Sequence, residues 1–494
     1  MSATRALALA AAVWVLSGCA SHPNPRLTAY DEKVGYRYAN VRPDEAEESL
    51  FVILAFSGGG TRAAAFSYGV LEGLRSVGYQ RPDGTRRTLL EDVDVISSVS
   101  GGSFTAAHYA IFGAEGFESF ERNFLYRDIQ GELILRALAP WNWARLARSD
   151  FSRIDLATEL YDEVVFGGAT FRTLLGERRR PYLLLNATDM TQGSRFEFTQ
   201  DQFDLLCSDL SEVKVARAVA ASSAFPVLLS PLTLRNYSAE PCQGYVAPAW
   251  LTNALKPENP PRRLQLAQTL ASYRENAQDR PFVHLLDGGL ADNIGLRGPY
   301  IALSGQDSAW SLYTKINRRT VHRVLVITAN AKTGRDPGWD KEESPPGVSG
   351  VLGVVTTGPM GNYSFETVQL VADHFQGLTN QLAGWHACET DGRAQCKTFT
   401  MRTAPPPDVD FHAVELAFDK LTAEADRDLR ACLEGLATSF RLPAAQVTLL
   451  RQVARRLLAS SPEFIAAMKR IAPAWRPPEV PIDPALLAEA CPKR

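Results

Sequence analysis

Five short apolar runs punctuate the chain, and stretches with helical periodicity lie between them. Phe51 to Phe56 is continuously apolar, as a strand buried on both faces would be. From Ala63 to Leu74 the apolar residues Phe66, Val70, Leu71 and Leu74 recur at helical spacing, and Gly78 stops the pattern. Val93 to Val99 is the next strand and Ser103 to Phe112 the next helix. Further strands are expected at Tyr182 to Leu185, Phe282 to Leu286 and Val324 to Ile327. Strands that alternate with helices predict an α/β domain around a mainly parallel sheet, running over residues 49–335.

Beyond that domain the pattern changes. Residues 334–349 are rich in Gly and Pro and predict an exposed loop. The apolar, glycine-rich run Val348 to Met360 predicts a buried loop, with a lid as the alternative. After Pro405-Pro406-Pro407, the stretches His412 to Leu436 and Ala444 to Ile471 have helical periodicity, and the tail from Pro473 should be extended. Residues 336–494 are thus expected to form a loop and helical extension packed on the main domain. Trp141 to Arg148 mixes aromatics with arginines. Core packing is the expectation there, and a membrane-surface segment the alternative.

The N-terminus predicts targeting rather than fold. Arg5 precedes an apolar stretch, Ala6 to Leu16, of signal-peptide length and too short to span a bilayer. Leu16-Ser17-Gly18-Cys19 follows and resembles the lipobox of bacterial lipoproteins. That resemblance implies a signal peptide over 1–18, lipid on Cys19 and a polar tether over 19–48. Ala20 is not the aspartate of an inner-membrane retention signal, so the expected location is the outer membrane, facing the periplasm. Of seven cysteines, six remain beside Cys19, an even number that permits disulfides in an oxidising compartment. Cys388 with Cys396 and Cys432 with Cys491 are the expected pairs. No C-x-x-C spacing suggests zinc, and a net charge of −3 gives no reason to expect a nucleic-acid partner.

Candidate chemistry begins at Ser100. The strand Val93 to Val99 runs straight into Ser100-Gly101-Gly102 and then into a helix, which is how a nucleophile elbow is written in sequence. Gly58-Gly59-Gly60 lies between a buried strand and a helix, so its N–H groups can stabilise an oxyanion, with the charge of Arg62 nearby. The same run formally fits the dinucleotide pattern G-x-G-x-x-A, but no acidic residue clearly ends the second strand. Asp287 heads Asp287-Gly288-Gly289 at a strand end and is placed either for base work or for an Asx turn. His284 is three residues before it, on the opposite strand face, and His108 is two helical turns beyond Ser100; neither is placed to serve as a base.

Together these segments resemble the patatin-like phospholipase family. That family pairs a G-G-G-x-[RK]-G loop with G-x-S-x-G and a later D-G-[GA]. They stand here as Gly58 to Ala63, Ser98 to Gly102 and Asp287 to Gly289, with Ala63 and Ser98 in place of two glycines. A fourth block, Ala220-Ala221-Ser222-Ser223-Ala224-Phe225-Pro226, and Asn186-Ala187-Thr188-Asp189 before it also fit. The resemblance implies a three-layer α/β/α sandwich and a cofactor-free, metal-free Ser100–Asp287 dyad. It also implies Gly58, Gly59, Gly60 and Arg62 around the oxyanion, and a phospholipid or other lipid ester as substrate. Acyl transfer to another acceptor, and a lipoprotein that binds lipid without catalysis, are the alternative functions.

Overall fold

The structure is a computed structural model. It describes residues 24–41, 49–81, 84–176, 180–226, 228–240, 242–305, 321–334, 341, 343–344, 347–391 and 409–492. Cys19, the signal-peptide segment, the Pro405–Pro407 joint, the Cys388–Cys396 pair and most of the 334–349 loop lie outside the described side chains.

Eight strands form the central sheet. They are β1 (Leu50–Phe56), β2 (Val93–Val99), β3 (Tyr182–Asp189), β4 (Ser194–Glu197), β5 (Leu232–Arg235), β6 (Phe282–Asp287), β7 (Arg323–Asn330) and β8 (Asp410–Ala417). Their order is β8-β7-β1-β2-β3-β6-β5, with β4 paired to β3 off this path. The pairs from β8 through β3 are parallel, while β6 runs antiparallel to β3 and to β5. Every residue of β1 and β2 is buried, as the unbroken apolar run of β1 requires, and in β2 the burial takes in Asp94, Ser97 and Ser98 as well.

Helices flank this mixed sheet, giving an α/β fold. Helix α1 (Gly60–Ser76) links β1 to β2, and α2 (Gly101–Phe112) leaves β2 toward β3. From β1 to β3 the chain steps one way across the sheet, and from β7 to β8 it steps the other way. Right-handed crossovers therefore place α1 and α2 on one face and the long helix α3 (Val348–Asp391) on the other. The active end is the carboxyl edge of β1 and β2, where both strands hand over to helices.

Several expectations need correction. Residues 24–41 are not a loose tether. Tyr36 is fully buried, its ring stacked on Tyr182 at 5.1 Å and its hydroxyl accepting Leu183 N–H at 2.8 Å. Asn24 donates to Ser208 Oγ at 2.6 Å. A few aromatic anchors in a polar stretch are enough to hold it down.

Val348 to Met360 is not a loop but the first part of α3. Helix α3 persists despite its glycines because Ser364, Thr367, Val371 and Phe375 are buried at helical spacing farther along it.

The stretch from His412 is not helical at its start. It is the edge strand β8, with Val414 and Leu416 buried, and helix only resumes at Arg427–Glu434. A short period-two pattern also satisfies a helical reading, and the parallel partner β7 decides between them.

Ala444 to Ile471 is two helices, α4 (Ala444–Ser460) and α5 (Pro462–Ile471). Pro462 starts the second, and Ser461 Oγ caps it by accepting Phe464 N–H at 3.2 Å. The region after residue 336 therefore completes the sheet instead of merely packing on it. It is also bound to α1. Arg451 of α4 reaches Glu72 and Glu121, each at 2.7 Å, and draws together three parts of the chain.

Cys432 and Cys491 form the expected disulfide, and Cys207 pairs with Cys242. The Pro473 tail ends in a short helix, Pro484–Ala490, which this bond fastens down. Among the described residues no helix is long and apolar enough to cross a membrane. Trp141 and Trp143 are not core: they are 76% and 52% exposed, close in sequence to the exposed Leu135 and Leu138.

Candidate active site

Ser100 sits where β2 turns into α2, with φ 49° and ψ −122°. A side chain at positive φ is uncommon and costly, and here it is the sharp turn that aims Oγ off the end of the sheet. The turn is braced from outside. Ser100 N–H donates to Ser222 Oγ at 2.9 Å, and Ser222 Oγ donates to the carbonyl of Asn186 at 2.7 Å. Asn186 Nδ2 in turn donates to Ser97 Oγ and to the carbonyl of Ser98, both at 3.0 Å. Ser98, which replaces the first glycine of the elbow, is accommodated because its hydroxyl joins this network through Ser103 Oγ at 3.2 Å.

Asp287 ends β6 beside the turn. Its carboxylate faces the Ser100 side chain, and its Oδ1 accepts Gly289 N–H at 2.8 Å. That bond is an Asx turn, and it leaves the carboxylate facing Ser100. Burial pushes the carboxyl up to about 6, and the bond from Gly289 and the facing Ser100 hydroxyl oppose that shift. The segment containing Ser222 holds Asp287 as well as Ser100. Asp287 N–H donates to Ala224 at 3.0 Å and Gly288 N–H to Ser222 at 3.1 Å. One short stretch thus positions both halves of the pair. Its sequence signalled only family likeness, because one serine bonding a turn 122 residues away leaves no local pattern.

The glycine loop lies alongside. Gly59 (φ 137°) and Gly60 (φ 60°) adopt backbone conformations that other residues rarely take. Their N–H groups, and that of Gly101, have no hydrogen-bond partner among the described residues. Gly58 differs: its N–H donates to the carbonyl of Asn293 at 2.9 Å, which removes it from the free donors expected of the whole run. Gly58 instead provides a close approach, since a Cβ there would lie 3.3 Å from Ser100 Cβ.

Arg62 is buried and donates to the carbonyls of Ala331 at 2.9 Å and Leu436 at 2.7 Å. Its guanidinium packs under Gly59, so it stiffens the loop from behind. Burial lowers it to about 10, which leaves it charged at neutral pH.

Neither histidine near the motifs joins the pair. His108 packs against Phe112 and Phe120, and burial depresses it to about 4. His284 Nδ1 lies 2.9 Å from Thr233 Oγ1 on the neighbouring strand.

Removing the brace tests its importance. Ser222→Ala is expected to lower turnover by about tenfold while the fold survives, because Ser100 N–H loses its acceptor and a strained turn relaxes. Steady-state kinetics with a thermal melt would check this; unchanged turnover would show that the elbow holds itself.

Such an arrangement can carry out nucleophilic acyl transfer: a hydroxyl facing a carboxylate, beside free N–H groups at a helix start. The sequence profile described as patatin-like phospholipase matches residues 54–300, half of the chain. No curated protein matches. Among solved structures, human GIVD cytosolic phospholipase A2 is similar, with 15% identity and a TM-score of 0.32, over 58% of this chain and 46% of that one. The same human enzyme in complex with methyl gamma-linolenyl fluorophosphonate gives 12% identity, a TM-score of 0.38, and coverage of 86% and 58%. VipD from Legionella pneumophila gives 11% identity, a TM-score of 0.30, and coverage of 86% and 67%. The chain spans about half the length of the human enzyme.

Proposed function

Because the chain belongs to the patatin-like phospholipase family, we propose that it is a lipid acyl hydrolase in which Ser100 is the nucleophile and Asp287 the base. The observation that carries this reading is the buried Asp287 carboxylate facing the Ser100 side chain, beside the free N–H groups of Gly59 and Gly60. Asp287 takes the Ser100 proton as Oγ attacks the ester carbonyl carbon. The oxyanion is held by the Gly59 and Gly60 N–H groups. Collapse breaks the bond to the leaving alcohol, which receives the proton from Asp287. Asp287 then deprotonates water, which attacks the acyl-serine; the fatty acid departs and the proton returns to Ser100.

The substrate class in this reading is phospholipid or another long-chain ester. The exposed Leu135, Leu138, Trp141 and Trp143 support it, since such side chains suit the boundary of a lipid surface. Lipid attachment at Cys19 and a periplasm-facing outer-membrane location belong to the same proposal. Metabolic acyl labelling of wild type and Cys19→Ala would test the attachment.

A fluorophosphonate probe tests the activity, together with fatty-acid release from phospholipid vesicles. Labelling confined to Ser100 and release of fatty acid are expected. Folded protein that is neither labelled nor active would overturn the proposal in favour of lipid binding, and acyl transfer to an added alcohol without free acid would make it a transacylase. Because Asp287 works as its carboxylate, kcat/KM should rise through pH 6 and stay level above it. A profile flat down to pH 4 would remove Asp287 from the base role.

A further inference from the structure

Asn293 follows the short helix Gly289–Asp292, and its side chain lies in the gap between the glycine loop and the Asp287 turn. Its Oδ1 is 2.6 Å from the position a Cβ would take on Gly58 and 2.8 Å from that on Gly289. Those positions lie 3.3 Å from Ser100 Cβ and 3.1 Å from Asp287 Oδ1 respectively. The amide thus faces nucleophile and base at once, and both glycines leave room for it. It is half-buried and makes no hydrogen bond of its own among the described residues. An unpaired carboxamide beside a reacting pair offers both a donor and an acceptor.

Resting on the hydrolase reading, we propose that Asn293 is a positioning residue for the water that releases the acyl group. In the acyl-enzyme the leaving alcohol has gone, and water takes its place beside Asp287. One water O–H points to the Asp287 carboxylate and the other to Asn293 Oδ1, which leaves the oxygen lone pair aimed at the acyl carbon. The proton passes to Asp287, the new C–O bond forms, and the bond from the acyl carbon to Ser100 Oγ breaks as that proton returns to Oγ. Acylation does not use this water. The amide should therefore govern the second half of the cycle and the choice between water and another acceptor.

The test uses the full chain as wild type, Asn293→Ala and Asn293→Ser, with Ser100→Ala as control. A chromogenic long-chain ester is followed before and after the steady state, with and without added glycerol. Asn293→Ala should label with fluorophosphonate within about threefold of the wild-type rate. It should show a burst of one equivalent, then turn over on the order of 10²-fold more slowly, with more acyl group passed to glycerol. Asn293→Ser, which keeps a small polar group, should recover part of the rate. The proposal is overturned if labelling and turnover fall together, which would make Asn293 a packing residue, or if neither burst nor partition changes. A wild type that is not labelled at Ser100 would instead overturn the hydrolase reading itself.

Discussion

Ser100→Ala is expected to lower ester hydrolysis by about 10⁴-fold or more, and Asp287→Asn by a comparable factor, with the double variant little worse than either. Non-additivity follows from the proposed mechanism, because nucleophile and base act as one unit on a single proton. Stability should move the opposite way for Asp287→Asn. The carboxyl is pushed up to about 6, above its ordinary value of 3.8. A raised carboxylate makes no such demand below pH 4, where both folded and unfolded chains hold the proton. Between pH 4 and 6 the unfolded chain releases its proton while the folded chain keeps it, so the cost grows with pH, and above 6, where both are ionised, the full cost applies, roughly 3 kcal/mol at pH 7. Asp287→Asn should thus denature at higher urea than wild type at pH 7, and the difference should vanish by pH 4. Equal activity, or a less stable Asp287→Asn at pH 7, would contradict the assignment of Asp287 as a buried base.

The same pair shows how far the sequence carries the argument. Ser100 and Asp287 were legible because each closes an apolar strand and is followed by glycines, a local arrangement that survives in one dimension. Their supports were not. Ser222 and Asn293 act by hydrogen bonds or close packing onto backbone that is distant in sequence; Ser222 was marked only as part of a block that fits the family, and nothing in the neighbours of Asn293 marks it. Gly58 shows the converse error. Its place in a glycine run suggested a free donor, but a carbonyl 235 residues onward has taken its N–H.

Elements followed the same rule. Strand β1 could be read because burial on both faces favours an unbroken apolar run, and β2 because its Val and Ile residues end in a serine and two glycines, although Asp94, Ser97 and Ser98 are buried within it. Strand β8 has one buried face over few residues, and α3 opens with glycines and a proline that ordinarily weaken a helix. In both cases tertiary contact decides: the parallel partner for β8, and for α3 the buried stripe from Ser364 to Phe375. Met360 on α3 also packs on Gly289, its Sδ 3.4 Å from a Cβ position there, so the unread helix reaches the site.

Gly101→Ala is expected to cost more in folding than any other single methyl group added near the site. The new Cβ would overlap the carbonyl oxygen of Gly60 and press on the rest of its backbone. Neither side has a flexible side chain that could move away. Relief would require the elbow and the glycine loop to separate, although β1 and β2 beneath them are tied by paired registers through Phe56 and Ser98. Overpacking of ordinary core side chains costs about 1–3 kcal/mol, and a collision between two backbones should exceed that range. The variant should therefore melt well below wild type and fail to label with fluorophosphonate even where it remains folded, because the Gly59 and Gly60 N–H groups shift away from Ser100. Gly78→Ala is the matched control. Nothing lies within 4 Å of a Cβ there, so its stability should stay within about 0.5 kcal/mol of wild type. If Gly101→Ala were as stable and as reactive as Gly78→Ala, the loop would not sit against the elbow, and the donors assigned to Gly59 and Gly60 would have to be sought elsewhere.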